Sequence, residues 1–562
     1  MTRATKLLHM AIILVAGAIA YQCALKAGFL AIDDAGLIDG LVSAKFSVKR
    51  LLFSGSGEYF RPLPFITYAF DFFIAGARPA WYHGVNVGIH LMNGLLVYLL
   101  ATNFPGEAEH KLYAALTAAL VFVLAPVNTE AVMWVSARPD LLCTLFSLLS
   151  LNLVIQLEGT PKIRLLCFLF VAFLCSLMSK EVSVVLLAIV PVYLFSERGK
   201  EGFKSVLVVT APFVLATLVW LSLRGSKKGV DPGIGKVLTG AANAVNNQHG
   251  HGTLGLDLFA SYGFYLKKLI YPFPLNFAIF HIDKTMLILV AASLIPCAAV
   301  LFYHSRPSRL PLLLIFVGIV PPVAAYFAEI PWTPYAERYL YLPMVGFSLL
   351  VAHGLYRMPR VHRFLPLVLV AFFSFPTYHR VVLWTKPIAF WNDVVEKSPD
   401  FSRSYVGLAT AQIEGHDYDA AEKNLYRARS MGYDHVPLWN NLAAVYYAKR
   451  DYARYEAAMS RLAAESAYSV EVYIKLIENL MRIPEQEADR RTIYNRVIEY
   501  HLEILKRHPS YYLSYYNIGK LYWVLGNKKN AVHYLELFLA KANNDPMRPF
   551  AKKILLKLTR TT

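Results

Sequence analysis

The chain has 562 residues, 56% hydrophobic and 17% charged, with a formal net charge of +18, and its mean hydropathy is +0.41. That is too apolar for an ordinary soluble protein and too long for one domain, so the expectation is a membrane protein with a soluble part attached. The positive charge forms no stripe interleaved with aromatics and no nucleic-acid module is recognisable, which excludes nucleic acid as an expected partner.

At the N-terminus, Arg3 and Lys6 precede the apolar run Leu7 to Ala20. No small-x-small cleavage site ends it, so it reads as an uncleaved first span. Two adjacent carboxylates, Asp33 and Asp34, follow directly. Ionisable residues at a membrane boundary are costly unless they are solvated or functional, so the pair is either a solvated boundary marker or part of a site. Further apolar runs stand near 84–103, 111–126, 140–157, 164–179, 182–196, 204–223, 285–303, 310–329, 340–356 and 362–379, giving about eleven spans in all. The cations Lys162 and Arg164, then Arg198, Lys200 and Lys204, then Arg306 and Arg309, then Arg357, Arg360 and Arg363 fall in alternate short loops. With these inside, the N-terminus is cytoplasmic and the C-terminal part lies outside. Leu254 to Ile270 is also apolar, but as a full span it would reverse everything after it. It is therefore expected to be interfacial or re-entrant, ended by Tyr271-Pro272-Phe273-Pro274, with Lys267 and Lys268 at the headgroups. Cys23, Cys143, Cys167, Cys175 and Cys297 lie in or beside apolar runs with no metal-ligand spacing.

Residues 1–385 are thus expected to form the multispanning part and 386–562 a soluble part. In the latter, Tyr405, Leu408, Ala409 and Asp417-Tyr418 recur as Trp439, Leu442, Ala443 and Asp451-Tyr452, with a further copy at Tyr515, Ile518, Gly519, Tyr522 and Ala531. A period of about 34 residues of this kind is the tetratricopeptide pattern, whose stacked helix pairs form an α-solenoid. The whole chain is expected to be all-α.

Read with this topology, the unusual polar clusters fall on one side of the membrane. They are Asp33-Asp34; Tyr59-Phe60-Arg61-Pro62-Leu63; Tyr82-His83-Gly84-Val85-Asn86; Asn128-Thr129-Glu130; Ser136-Ala137-Arg138; Ser179-Lys180-Glu181; and Glu337-Arg338-Tyr339. These are ingredients for group transfer from a lipid-linked phosphate. A carboxylate can take the proton of an acceptor hydroxyl, and Arg or Lys can neutralise the phosphate as it leaves.

The ordered set, with Pro126-Val127-Asn128-Thr129-Glu130-Ala131-Val132-Met133-Trp134-Val135-Ser136-Ala137-Arg138 and Glu337-Arg338-Tyr339-Leu340-Tyr341-Leu342-Pro343, resembles that of the transmembrane and tetratricopeptide-repeat protein O-mannosyltransferases and their bacterial relatives. The resemblance implies the C-class (GT-C) glycosyltransferase fold, an acidic motif in the first outer loop and a polyprenyl-phosphate-linked sugar donor. Asn128 stands where many relatives carry His, and Pro139 where Ala is common. Carried over to this chain, Asp33 or Asp34 becomes the general base. Arg338, Lys180 and Arg138 become the donor-phosphate ligands, and Arg61, His83, Glu130, Glu181, Glu337 and Tyr339 line the pocket, with Glu337 either orienting Arg338 or pairing with it. Each cation also has a plainer reading as an interfacial snorkelling residue, and a histidine at a span end is often a structural hydrogen-bonding group.

The function this implies is transfer of a sugar from a polyprenyl-phosphate carrier to a protein or peptide acceptor outside the cytoplasm. The membrane would be a bacterial inner membrane or, in a eukaryote, the endoplasmic reticulum. Two other readings stay open, a non-catalytic membrane scaffold whose repeats recruit envelope proteins and a flippase of lipid-linked sugars. No cofactor is indicated. Asn243, Asn246, Asn247, His249 and His251 in the loop Arg224 to Gly252 make a weak ligand set without a carboxylate, and the resemblance does not decide whether a divalent ion is used.

Overall fold

The computed structural model describes residues 3–30, 32–43, 60–103, 108–157, 162–199, 202–225, 251–328, 333–356, 365–465, 469–483, 489–542 and 545–559. Tyr59, Lys200, Arg357, Arg360, Arg363, Asn243, Asn246, Asn247 and His249 lie outside the described residues. The chain divides into two units, Met1–Phe401 and Ser402–Thr562. Among the described residues every regular element is helical, and the one extended pairing is a bridge between Ile279 and Tyr335.

The first unit opens with α1 (Arg3–Tyr21), α2 (Asp34–Ser43), α3 (Pro62–Ala75), α4 (Pro79–Ala101) and α5 (Ala108–Val123). It continues through α6 (Arg138–Gln156), α7 (Ile163–Ser179), α8 (Leu186–Arg198), α9 (Phe203–Gly225), α10 (His251–Ile270) and α11 (Lys284–His304). After them come α12 (Arg309–Phe316), α13 (Val320–Phe327), α14 (Tyr341–Tyr356), α15 (Leu365–Trp384) and α16 (Pro387–Lys397). Among the described residues seven helices are long and apolar enough to cross a membrane, or eight if the pair Lys111–Val123 and Pro126–Met133, bent by 46°, counts as one. Three of the eleven expected spans correspond to α7, α8 and α14, of 17, 13 and 16 residues. At 1.5 Å per residue the α-helical stretches alone reach roughly 20–26 Å against a hydrocarbon core of about 30 Å, and the 3-10 turns Glu181–Val185 and Glu337–Leu340 run directly into α8 and α14 and lengthen them.

Close backbone approach at small residues knits the bundle. A Cβ on Gly94 of α4 would stand 2.3 Å from the Val123 side chain of α5. Inside α4, His90 bonds the Tyr341 hydroxyl at 2.7 Å and the Val123 carbonyl at 3.0 Å, and Asn93 donates to the same hydroxyl at 3.1 Å. These polar residues tie α4, α5 and α14 together where no water competes. Helix α16, which composition assigns to the second part, packs with the first unit: Phe390 and Trp391 lie edge-on to Phe277, with Phe390 against Trp384 as well.

Helices α10 and α11 run in the same direction. Asp257 pairs with Lys284 at 2.7 Å. Further along, a Cβ on Gly263 would fall 1.9 Å from the Leu287 carbonyl oxygen. Beyond that, Leu269 and Ile270 share an apolar cavity of about 210 Å³ with Leu294 and Cys297. Parallel neighbours enter from the same side, so residues 271–283 must carry the chain back alongside them. An extended return of this kind exposes carbonyls that lipid cannot satisfy, and this one is served by side chains. Lys268 Nζ donates to Pro272 O at 3.0 Å and to Pro274 O, and Lys267 Nζ donates to Phe273 O. Lys397 Nζ reaches Leu275 O at 2.8 Å, Asn276 and Ser398 both donate to Ala278 O, and the Tyr335 N–H meets Ile279 O at 3.4 Å. The lysine pair expected at the headgroups instead holds this return: Lys268 is buried, since each carbonyl in an apolar setting needs a donor.

The second unit is an array of helical hairpins. Ser402–Glu414 pairs with Tyr418–Ser430, and Val436–Ala448 with Tyr452–Glu465, so that corresponding helices begin 34 residues apart. The hairpin turns share one construction. A residue at positive φ, His416, Arg450 or Gly526, precedes a helix-capping Asp417, Asp451 or Asn527, whose side chain accepts from the N–H three residues on. The recurring Leu408, Ala409, Leu442 and Ala443 are buried between the helices.

Candidate active site

Asp33 and Asp34 part company at the start of α2. Asp34 is 1% exposed. Its Oδ1 accepts from the Ser136 N–H at 2.9 Å and the Ser136 hydroxyl at 2.5 Å, and its Oδ2 accepts from the Leu30 N–H at 2.9 Å. Burial pushes its carboxyl up to about 6 against the pull of the Ser136 and Leu30 bonds. Asp33, one residue earlier, is exposed. The segment ahead of the pair is held by His83, whose Nε2 lies 3.1 Å from Gly28 O and so carries the proton. His83 is buried and braces this loop.

A second group forms around Tyr339. The Arg338 guanidinium lies 4.8 Å from that ring's centroid and the Lys180 ammonium 5.3 Å from it. Glu130 accepts from Arg338 Nη1 at 2.5 Å and from the Arg338 N–H at 3.1 Å, fixing side chain and backbone together. Lys180 donates to Asp140 at 2.6 Å. Glu337 turns the other way, to Lys268 at 2.7 Å and the Asn276 N–H at 3.0 Å. Of the two roles open to Glu337, neither is observed; Glu130 is the carboxylate that orients Arg338.

Beside Lys180, Glu181 accepts from Arg61 Nε at 3.0 Å and Nη2 at 2.5 Å. Burial alone would raise the Glu181 carboxyl, yet the Arg61 guanidinium holds it well below the usual carboxylate range.

Arg138 has a separate set of partners from the Tyr339 group. It is fully buried, with Nη1 donating to Asp71 at 2.5 Å, Nε to Asn86 at 2.8 Å and Nη2 to the Tyr82 carbonyl at 3.3 Å, and with the Tyr68 ring 4.4 Å away. A guanidinium committed in this way ties α3, α4 and α6 together.

One short stretch joins the carboxylate pair to the cations. The Trp134 ring lies under the Arg338 guanidinium at 5.0 Å, and Ser136, two residues on, holds Asp34. Two residues span at most about 7 Å, so Asp34, which neighbours Asp33 in the chain, and Arg338 are fixed to adjacent links of the same chain. Sequence reasoning gave no role in the site to Asp71 or Asp140, took Ser136 only as part of the cluster before Arg138, and placed Lys268 at the headgroups. Asp71 had a signal, a lone carboxylate in the apolar run Phe70 to Ile74. Among the described residues no group of three or more His, Cys, Asp or Glu side chains converges as a metal site would.

The arrangement is that of an all-helical membrane protein with carboxylates and cations gathered in its loops. No family model matches the chain. It is similar to the transmembrane and tetratricopeptide-repeat O-mannosyltransferases. It is 36% identical to human protein O-mannosyl-transferase TMTC4 over 111 residues, 18% of this chain and 15% of that protein. With human TMTC1 it shares 29% over 180 residues, 30% of this chain and 20% of that protein. With Xenopus laevis tmtc2 it shares 34% over 150 residues, 25% of this chain and 17% of that protein. Each match thus spans a fifth or less of the relative's length. Among solved structures, ArnT from Cupriavidus metallidurans bound to undecaprenyl phosphate aligns at a TM-score of 0.43 and 13% identity, over 82% of this chain and 80% of that one.

Proposed function

We propose that the chain is an integral-membrane glycosyltransferase that moves a sugar from a polyprenyl-phosphate carrier to a hydroxyl of a protein acceptor on the extracytoplasmic side. The bond from the anomeric carbon to the phosphate oxygen breaks as a bond to the acceptor oxygen forms, inverting configuration in one displacement. Asp33 takes the acceptor proton, and polyprenyl phosphate leaves against Arg338 and Lys180. Asp34 holds the loop that presents Asp33, because all three of its hydrogen bonds are to the scaffold. Glu130, Asp140 and Tyr339 keep the two cations in place. The hairpin array is a tetratricopeptide domain that positions the acceptor, a concave stack of helix pairs being suited to an extended peptide.

The observation that carries this reading is the Trp134–Ser136 stretch, with Arg338 over one residue and Asp34 bonded to the other. A scaffold would account for the hairpins alone and has no use for that arrangement. The test is to incubate the purified full chain with radiolabelled polyprenyl-phosphate sugars and a protein extract. Label moving from lipid to protein supports the proposal; label that stays on lipid with every sugar overturns it.

A further inference from the structure

The first unit contains a cavity of about 450 Å³ that none of the roles above uses, a volume in the range of specific ligand sites. Its floor is Phe264, Ile279, Phe280, Leu287 and Phe401, with the Phe280 and Phe401 rings 5.0 Å apart. One wall is Lys268, whose ammonium bonds Glu337, the residue before Arg338. The rim carries His281 and Asp400, paired at 3.4 Å with side chains 82% and 73% exposed. An apolar floor beside Lys267, Lys268 and Lys397, under a charged and open rim, suits a ligand that arrives from water rather than from hydrocarbon.

The backbone bordering the cavity narrows the class. Ile279 is bridged to Tyr335, after which the chain stays non-helical through Asp283, the residue that caps α11 by accepting from the Met286 N–H at 3.2 Å. Among the described residues the N–H and C=O groups of Phe280, His281 and Ile282 enter no backbone hydrogen bond. An extended edge beside a side-chain pocket is how peptides are bound by strand addition, the main chain giving affinity and the pocket selecting a side chain.

We propose that this cavity and the edge Phe280–Ile282 form an acceptor-peptide subsite, which receives an extended segment with an aromatic or large aliphatic side chain on the Phe280–Phe401 floor. The inference rests on the reading that the acceptor is a protein. Occupied in this way, the subsite sets a peptide beside Lys268 and the Glu337–Arg338 turn, and it gives the enzyme a preference for acceptors with an apolar residue near the modified hydroxyl.

The test uses the full chain in lipid nanodiscs and fluorescein-labelled octapeptides that contain Ser or Thr, with Phe, Leu, Lys or Asp at each flanking position, binding being read by anisotropy without any sugar donor. Met286→Trp fills the cavity from the exposed first turn of α11, and Ile282→Pro removes an edge N–H that no fold bond uses. The expected result is selection of peptides with Phe or Leu, weakened at least tenfold by either variant. The peptide's own Phe→Ala change should cost tenfold in the parent chain and little in Met286→Trp. No peptide binding, equal binding by parent and variants, or displacement of the peptide by lipid or free oligosaccharide overturns the subsite. Because the assay needs no donor, failure of sugar transfer with this binding pattern intact would sink only the transferase reading. Sugar transfer to peptides that is indifferent to both variants would sink only the subsite.

Discussion

Arg338 and Lys180, 158 positions apart in the chain, share one aromatic face: their charged heads lie 4.8 and 5.3 Å from the Tyr339 centroid. Each also has its own carboxylate, Glu130 and Asp140. A leaving phosphate would therefore meet two cations whose spacing is set by a rigid ring and not by two flexible stems. Tyr339→Phe keeps the ring and loses the hydroxyl contact to Arg338 Nη2 at 3.3 Å, so transfer should fall about fivefold or less. Tyr339→Ala removes two cation–π contacts of about 1 kcal/mol each, a loss on the order of 30-fold in initial rate. Equal rates for the two variants would show that the ring does not space the cations.

The two carboxylates should separate under substitution. Asp33→Asn should reduce kcat by about 10²–10⁴, the usual worth of a positioned general base, with thermal stability unchanged because the side chain is exposed. Asp34→Asn leaves one of the three donors from Leu30 and Ser136 poorly matched. That should cost about 1–3 kcal/mol of stability while residual transfer persists. Asp33→Asn at full rate, beside an inactive but stable Asp34→Asn, would reverse the assignment.

Much of this was legible before the fold was. Apolar run lengths located the long helices, and the recurrence of Leu408, Ala409, Leu442 and Ala443 gave the 34-residue hairpins, because periodicity records which side chains face a neighbour. What run lengths could not resolve were ends and breaks: α3 lay hidden in a loop motif, and α8 begins at Leu186, four residues into the run 182–196. At the candidate site, residue type located the clusters but not the partners. Arg138 and Arg338 look alike in sequence, yet one pairs with Asp71 beside Tyr68 and the other with Glu130 beside Trp134 and Tyr339. That difference comes from contacts between segments far apart in the chain, which local pattern does not encode.

The buried state of Asp34 has a pH signature. Its carboxyl is raised from 3.8 to about 6, chiefly by burial. Below the unfolded value both states hold the proton, and the folded state has its full relative stability. As pH rises the unfolded chain releases that proton first, so stability falls until the folded group has ionised near 6 and is level above it. A rise of that size is worth about 3 kcal/mol at most. Melting the parent chain and Asp34→Asn from pH 4 to 7.5 at fixed ionic strength should give a difference that moves against the parent across this window. A flat difference, or one favouring the parent as pH rises, would refute the desolvated carboxyl.

Lys268 joins the parallel α10–α11 pair to the candidate site. One ammonium satisfies the Pro272 and Pro274 carbonyls and pairs with Glu337, while Glu337 also accepts from the Asn276 N–H. Lys268→Met removes all of these donors at a position 3% exposed and leaves a buried carboxylate uncompensated, a loss of about 3–5 kcal/mol. Lys268→Met with Glu337→Gln removes the stranded charge and should recover a large part of that stability, but not the Pro272 and Pro274 bonds. The fold of the double variant should therefore return ahead of its rate, with KM for the lipid donor raised because the turn bearing Arg338 is no longer tethered to the return segment. Thermal melts and donor titrations read the two effects separately. A double variant with the single variant's stability would show that the Lys268–Glu337 pair is not the tether, and full recovery of both stability and KM would show that the carbonyl bonds contribute nothing.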